Sequence, residues 1–200
     1  MPPTSTLPPR AFRTKGLAYR NVLAFLDLRL GGRERLLESF EEPGLRAFFA
    51  QPFLAASWYD TVPIGALCEA GAKHCGVSVP DFIREHTRNQ AREDLGGVYR
   101  VILKVFTPEL ALRALIKVTE RYYDFGTTEI VELHAGRAVT VRTDLPDAIF
   151  DWYAIVADEY TRAVLEHAGA KDIRVRSERG KRGLLHGMPT SQMRFEIDWR

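Results

Sequence analysis

The spacing of apolar residues first changes from a helical to a strand period at Gly126, and that change constrains the fold more than any motif. Before it, hydrophobic side chains recur every three or four residues, as on a helix with one buried face. After it, Ile130, Val131 and Leu133, then Val139 and Val141, read as two short strands around a turn at Ala135-Gly136. Helical spacing returns over 147–167, where Ile149, Phe150, Tyr153, Val156, Tyr160, Val164 and Leu165 share one side. Ile173 and Val175 then alternate with Arg174 and Arg176, and Phe195, Ile197 and Trp199 with Glu196 and Asp198, the pattern of half-buried strands. Trp199 is expected to face the 147–167 helix. The expected fold class is therefore α+β: an N-terminal helical subdomain over 15–125, followed by a ββαββ subdomain over 126–200 with a four-stranded antiparallel sheet.

Proline and glycine punctuate the first half. Leu17, Val22, Leu23, Leu26 and Leu30 make a helix that Gly31-Gly32 ends; Leu36, Leu37 and Phe40 mark a second short helix and Leu45, Phe48 and Phe49 a third, with Pro43 and Pro52 punctuating them. Residues 53–60 read as an apolar connector. Pro63 opens a helix closed by Gly76, and Ser78 with Pro80 opens a polar one whose candidates for burial are Phe82, Ile83 and His86. Gly96-Gly97 should break it, 98–106 should be core, and Thr107-Pro108 should start the last helix of a wholly helical half. The opening MPPTSTLPPR, with four prolines, and all of 1–14 read as a disordered tail.

Charge and composition exclude several classes. Hydrophobic residues at 46% can build one core in 200 residues, and a formal net charge of +2 creates no global field toward nucleic acid or membrane. No apolar run approaches the roughly 18 residues of a membrane span, and prolines stand where a signal peptide would be, so a cytoplasmic location is expected. Cys68 and Cys75, seven apart on a helix, are too distant to form a disulfide and are read as buried structural thiols, with His74 pointing away from them.

Chemical motifs are missing. No G-x-S-x-G, Walker loop, H-E-x-x-H or C-x-x-C occurs. Gly180, Gly183 and Gly187 read as loop, and His74, His86, His134, His167 and His186 fall in five different elements. Arg84, Arg88 and Arg92 form one stripe, read as a solvated helix face with Glu85 and Asp81 as partners. Lys171, Arg174, Arg176, Arg179, Lys181 and Arg182 face only Asp172 and Glu178, a local excess of positive charge without interleaved aromatics for base stacking. Aromatics gather near the junctions between helices and sheet. The candidate ligand-binding residues are Trp58, Phe82, Tyr99, Leu103, Tyr122 and Trp152, as walls of a pocket between the subdomains.

Lys15-Gly16 opening a helix, Gly31-Gly32 ending it, and Ser57-Trp58-Tyr59 before the next helix resemble a family of bacterial proteins of about this length, known chiefly from myxobacteria. The order of helices followed by ββαββ also resembles the haem-nitric-oxide-binding (H-NOX) domain and its vinyl-4-reductase-type and TRAPP-like relatives. That resemblance implies a ligand held between a helical and a sheet subdomain. It also implies, for haem, an axial histidine on the helix before the sheet and a Tyr-x-Ser-x-Arg clamp for the propionates. Neither stands here: 98–125 has no histidine, and Arg142 is the only basic group near the clamp. The zinc-binding cysteines of some vinyl-4-reductase-type relatives are missing too.

The function expected is a non-catalytic sensory or binding domain, serving a small apolar ligand or a signalling protein partner and needing no cofactor. Membrane and nucleic acid are not expected partners, and a homodimer is compatible. The alternatives are an enzyme whose site is assembled from dispersed residues, for example His86 with Asp124 or Glu132, and a purely structural dimerisation module.

Overall fold

A computed structural model describes residues 12–30, 33–96 and 106–200. Within them the chain forms two compact units that meet in sequence between Phe82 and Ile83. The sequence placed the division at Gly126, where the hydrophobic period changes. Compactness follows packing instead, and two helices that read like their predecessors belong with the sheet.

The first unit holds β1 (Arg13–Lys15), α1 (Gly16–Leu30), α2 (Arg33–Glu38), α3 (Pro43–Ala50), β2 (Trp58–Asp60) and α4 (Ile64–Cys75). Its helices end where proline and glycine put them: Pro43 opens α3, and Gly76, at φ 66°, caps α4 by donating to the last-turn carbonyls. Tyr19 lies at its centre, stacked on Phe53 and edge-on to Phe48, with its hydroxyl donating to the Asp60 carbonyl at 2.5 Å. Phe40 stacks on Phe49, extending one aromatic core along α1 and α3.

Two expectations fail in this unit. The first half is not wholly helical, because β1 and β2 pair antiparallel, Lys15 opposite Trp58 and Arg13 opposite Asp60. Residues 12–14 are not tail either: Phe12 and Thr14 are buried, and Thr61 donates its amide to the Phe12 carbonyl. Three-residue strands carry no legible period, and their hydrogen bonds need a partner more than forty residues away.

The second unit holds α5 (Val79–Asp94) beyond Phe82, α6 (Pro108–Tyr122), β3 (Thr128–His134), β4 (Arg137–Pro146), a 3-10 turn (Asp147–Ile149), α7 (Phe150–His167), β5 (Arg174–Leu185) and β6 (Met188–Asp198). Thr107 caps α6 through its side chain, which accepts from the Leu110 amide. Ala111 of α6 meets Val164 of α7, with Leu95, Phe106, Leu115 and Ala168 packed around them. The sheet is antiparallel in the order β3-β4-β6-β5, the four-stranded arrangement the sequence implied. Alternation along β6 is as expected, with Met193, Phe195, Ile197 and Trp199 all buried.

The last hairpin is much longer than two alternating triplets suggest. Gly180 and Gly183, read as loop, lie inside β5, paired along β6 down to a turn at His186-Gly187. Pairing with β6 overrides the weak strand preference of glycine. Both neighbours of β6 slip register at the same place, β4 between Arg142 and Leu145 and β5 between Arg179 and Arg182, each opposite Ser191 to Met193. Each neighbour thus has one residue more than β6 there, which bends the sheet at that point.

Candidate functional site

Directly paired residues on neighbouring strands share a face of the sheet, so Thr128, Arg142, Met193 and Arg179 form one row across β3, β4, β6 and β5. Both arginines of this row reach α7. The Arg179 guanidinium lies 3.8 Å from the centre of the Phe150 ring and donates to Asp147 at 2.9 Å and Asp151 at 3.3 Å. Ser191 donates its hydroxyl to the same Asp147 oxygen at 2.6 Å, which ties β6 to the turn that opens α7.

Arg142 is only 2% exposed. Its guanidinium is ringed by Tyr153 at 4.9 Å, Tyr123 at 5.5 Å and Phe125 at 5.7 Å from their ring centres. Nη2 donates to the Phe125 carbonyl at 2.7 Å and Nη1 to the Thr128 hydroxyl at 3.1 Å, while Nε has no hydrogen-bond partner among the described residues. No carboxylate among them forms an ion pair with it, so carbonyl, hydroxyl and ring faces carry a buried charge that would usually be neutralised. Gly126 makes this fit possible. It sits at φ 66°, and a Cβ there would collide with the Thr143 carbonyl and come within 3.5 Å of the guanidinium.

The rings around Arg142 continue outward. Tyr123 meets Trp152 at 6.5 Å and Tyr153 at 5.4 Å, and Tyr122 lies 6.4 Å from Tyr123. Burial, more than the neighbouring Tyr153, raises the Tyr123 hydroxyl far above its ordinary pKa; burial and then Asp94 push Tyr122 up to about 12. These hydroxyls stay neutral at physiological pH. The Trp152 indole N–H is buried without an acceptor among the described residues.

Of the six candidate wall residues, Tyr122 and Trp152 thus join one cluster around Tyr123. Trp58 and Phe82 belong to the first unit. Trp58 lies under the Lys15 ammonium, 3.7 Å from its ring centre, and Phe82 is fully buried, edge-on to Phe25 and against Gly71. Tyr99 and Leu103 lie outside the described residues, as do Gly97 and 98–105. Sequence reasoning noted Arg142 only through the clamp it lacks, although Ala138, Thr140 and Arg142 alternate on one face of β4 and all three are buried.

The arginine stripe of α5 is largely solvated, as expected, with Arg88 and Arg92 exposed and Arg84 half-buried, but Arg88 finds its acid on another helix. Arg88 forms a two-pronged bond to Glu159 of α7 at 2.7 and 2.9 Å, and Glu159 is itself buried. Nearby, the Tyr160 hydroxyl donates to Asp94 at 2.7 Å. His86, inside α5, is buried, and burial lowers its pKa to about 4, so it is a neutral imidazole at physiological pH. Glu132 is engaged by His134 at 2.8 Å and Arg137 at 3.2 Å on the surface of the sheet. Cys68 is buried as expected, but Cys75 is partly open. Among the described residues no group of three or more His, Cys, Asp or Glu is placed to hold a metal ion, and no helix is long and apolar enough to cross a membrane.

No family model matches the chain, and no curated protein matches it. Solved structures do. The H-NOX protein from K. algicida, in its Fe(II) unliganded form, covers 93% of this chain and 96% of its own at 13% identity, with a TM-score of 0.66. The H-NOX protein from S. oneidensis, in the Fe(II)NO ligation state, covers 93% and 99% at 10% identity, with a TM-score of 0.64. A mutant of T. Tengcongensis H-NOX covers 93% and 97% at 13% identity, with a TM-score of 0.53. The chain has the H-NOX fold, as the order of its elements implied.

Proposed function

We propose that this chain, built on the H-NOX fold, is a non-catalytic sensory or binding domain that works without haem. The observation that carries the reading is the state of Arg142. The guanidinium nearest the place of a propionate clamp is already spent on Phe125, Thr128 and three aromatic rings. Helix α6, where the resemblance puts an axial histidine, buries Ala111 and Leu112 instead. The residues present do not fit haem: iron would lack its side-chain ligand and the propionates their countercharge. A small apolar ligand or a signalling protein partner remains as the input.

Titration of purified protein with haemin tests this. The expected outcome is a broad, unsaturable Soret absorption characteristic of loose surface association. A sharp band that saturates at one equivalent and vanishes in His86→Ala would overturn the reading, because it would make the buried neutral imidazole of α5 an iron ligand.

A further inference from the structure

We propose that the free edge of β5 docks an extended, acidic polypeptide segment by strand addition. β5 is the end strand of its sheet, with β6 as its sole strand neighbour among the described residues, so one row of its backbone donors and acceptors is unpaired by any strand there. Its residues are exposed along nearly the whole length from Arg174 to Leu185. Free backbone groups over that length match another polypeptide strand in a way that no lipid surface and no nucleic acid does.

Charge selects the occupant. Lys181 and Arg182 of β5, with Lys171 just before it, make no ion pair among the described residues; Arg174 and Arg176 make no contact ion pair either but stand opposite Asp198 and Glu196 of β6, and Glu178 is the strand's one acid. Arg179 is excluded from this set because Asp147, Asp151 and the Phe150 ring hold it. Side chains on one face of a strand recur about every 6.8 Å, so Arg174 and Arg176 present their charges at the spacing of alternate carboxylates on an added strand. An edge of one sign repels a second copy of itself and admits a strand of the opposite sign. The other edge of the sheet, β3, has no lysine or arginine and carries Glu129, Glu132 and His134, so the basic stripe is confined to the β5 edge.

Beyond the register slip the edge changes character. Gly183 leaves the backbone bare, and Leu184, 71% exposed, stands beside it. One apolar side chain on the incoming strand would find a partner there. No aromatic residue lies between Lys171 and Leu185, so bases have nothing to stack on.

The test uses the full chain and a fluorescent, end-capped peptide alternating glutamate and valine. Beside it run a peptide of equal charge interrupted by prolines, single-stranded DNA of equal charge, and phosphatidylserine vesicles. The alternating peptide should bind and should slow amide exchange within β5. Binding should weaken about tenfold in Lys181→Glu/Arg182→Glu, whose melting temperature should be unchanged because neither side chain has an ion-pair partner to lose. Equal binding of the proline-interrupted peptide would replace strand addition by plain electrostatics and overturn the proposal. So would DNA or vesicles binding as tightly as the peptide, an unaffected charge-reversed variant, or no binding.

Discussion

Arg142 and Arg179 flank Met193 in one row of the sheet, and each places its guanidinium against a ring of the same helix, Tyr153 at 4.9 Å and Phe150 at 3.8 Å. The two differ in what balances their charge. Arg179 has Asp147 and Asp151, whereas Arg142 has a carbonyl, a hydroxyl and aromatic faces. The pair joins α7 to both strands that flank β6.

The guanidinium fork, more than its charge, should be what Arg142 contributes. Arg142→Lys keeps the charge, but one compact ammonium cannot serve both Phe125 and Thr128 while lying flat among three rings. Loss of about 3 kcal/mol is expected for lysine and about 2 kcal/mol for Arg142→Met, which removes the buried charge together with the hydrogen bonds to the Phe125 carbonyl and the Thr128 hydroxyl. Urea denaturation of both variants measures the order. A milder lysine variant would mean that the positive charge itself is required.

Gly71 of α4 faces the Phe82 ring so closely that an added Cβ would stand 2.5 Å from it. Phe82 is also held edge-on by Phe25 and cannot swing away. Gly71→Ala is therefore expected to lower stability by about 1 to 3 kcal/mol through overpacking, against the usual gain from alanine in a helix. Thermal melting of the variant decides the sign.

Acid should destabilise the fold through His86. Its folded pKa of about 4 lies below the ordinary 6.5, so between those values the unfolded chain holds the extra proton. The contribution is whole above about pH 6.5 and is lost as pH falls toward the folded value, roughly 2.5 kcal/mol by pH 4.5. Urea denaturation at pH 7 and at pH 4.5 should show the wild type losing about that much more than His86→Leu. Equal losses in the two proteins would show that His86 does not carry this share.

Trp199 closes the alternation of β6, is buried, and donates its amide to the Gly136 carbonyl at 2.9 Å. Trp199→Ala should cost about 3 to 5 kcal/mol. A loss under about 1 kcal/mol, measured by chemical denaturation, would mean that the C-terminal strand end frays in solution.

What the sequence by itself determined is the list of long elements and their pairing class. The helical spacing of α1, α4, α5, α6 and α7, with a start signal for α3 at Pro43, a stop at Gly76 and a cap at Thr107, was legible because each signal is local. The hairpin of β3 and β4 was legible for the same reason, and so were the buried positions of β6. Of the site, the aromatic positions Tyr122 and Trp152 could be named, but not their convergence on Tyr123.

Tertiary structure decided the rest, wherever the partner is remote in sequence. β1 and β2 pair with each other, β5 runs through two glycines because β6 pairs with it, and Arg88, still exposed, is fixed by the buried Glu159 of another helix. Arg142 shows the limit most clearly. Nothing in its neighbours along the chain says whether its guanidinium meets a ligand or closes on Phe125, Tyr153 and Thr128. That choice belongs to a low-dielectric interior, where a buried charge takes whichever acceptors and ring faces the fold brings within reach.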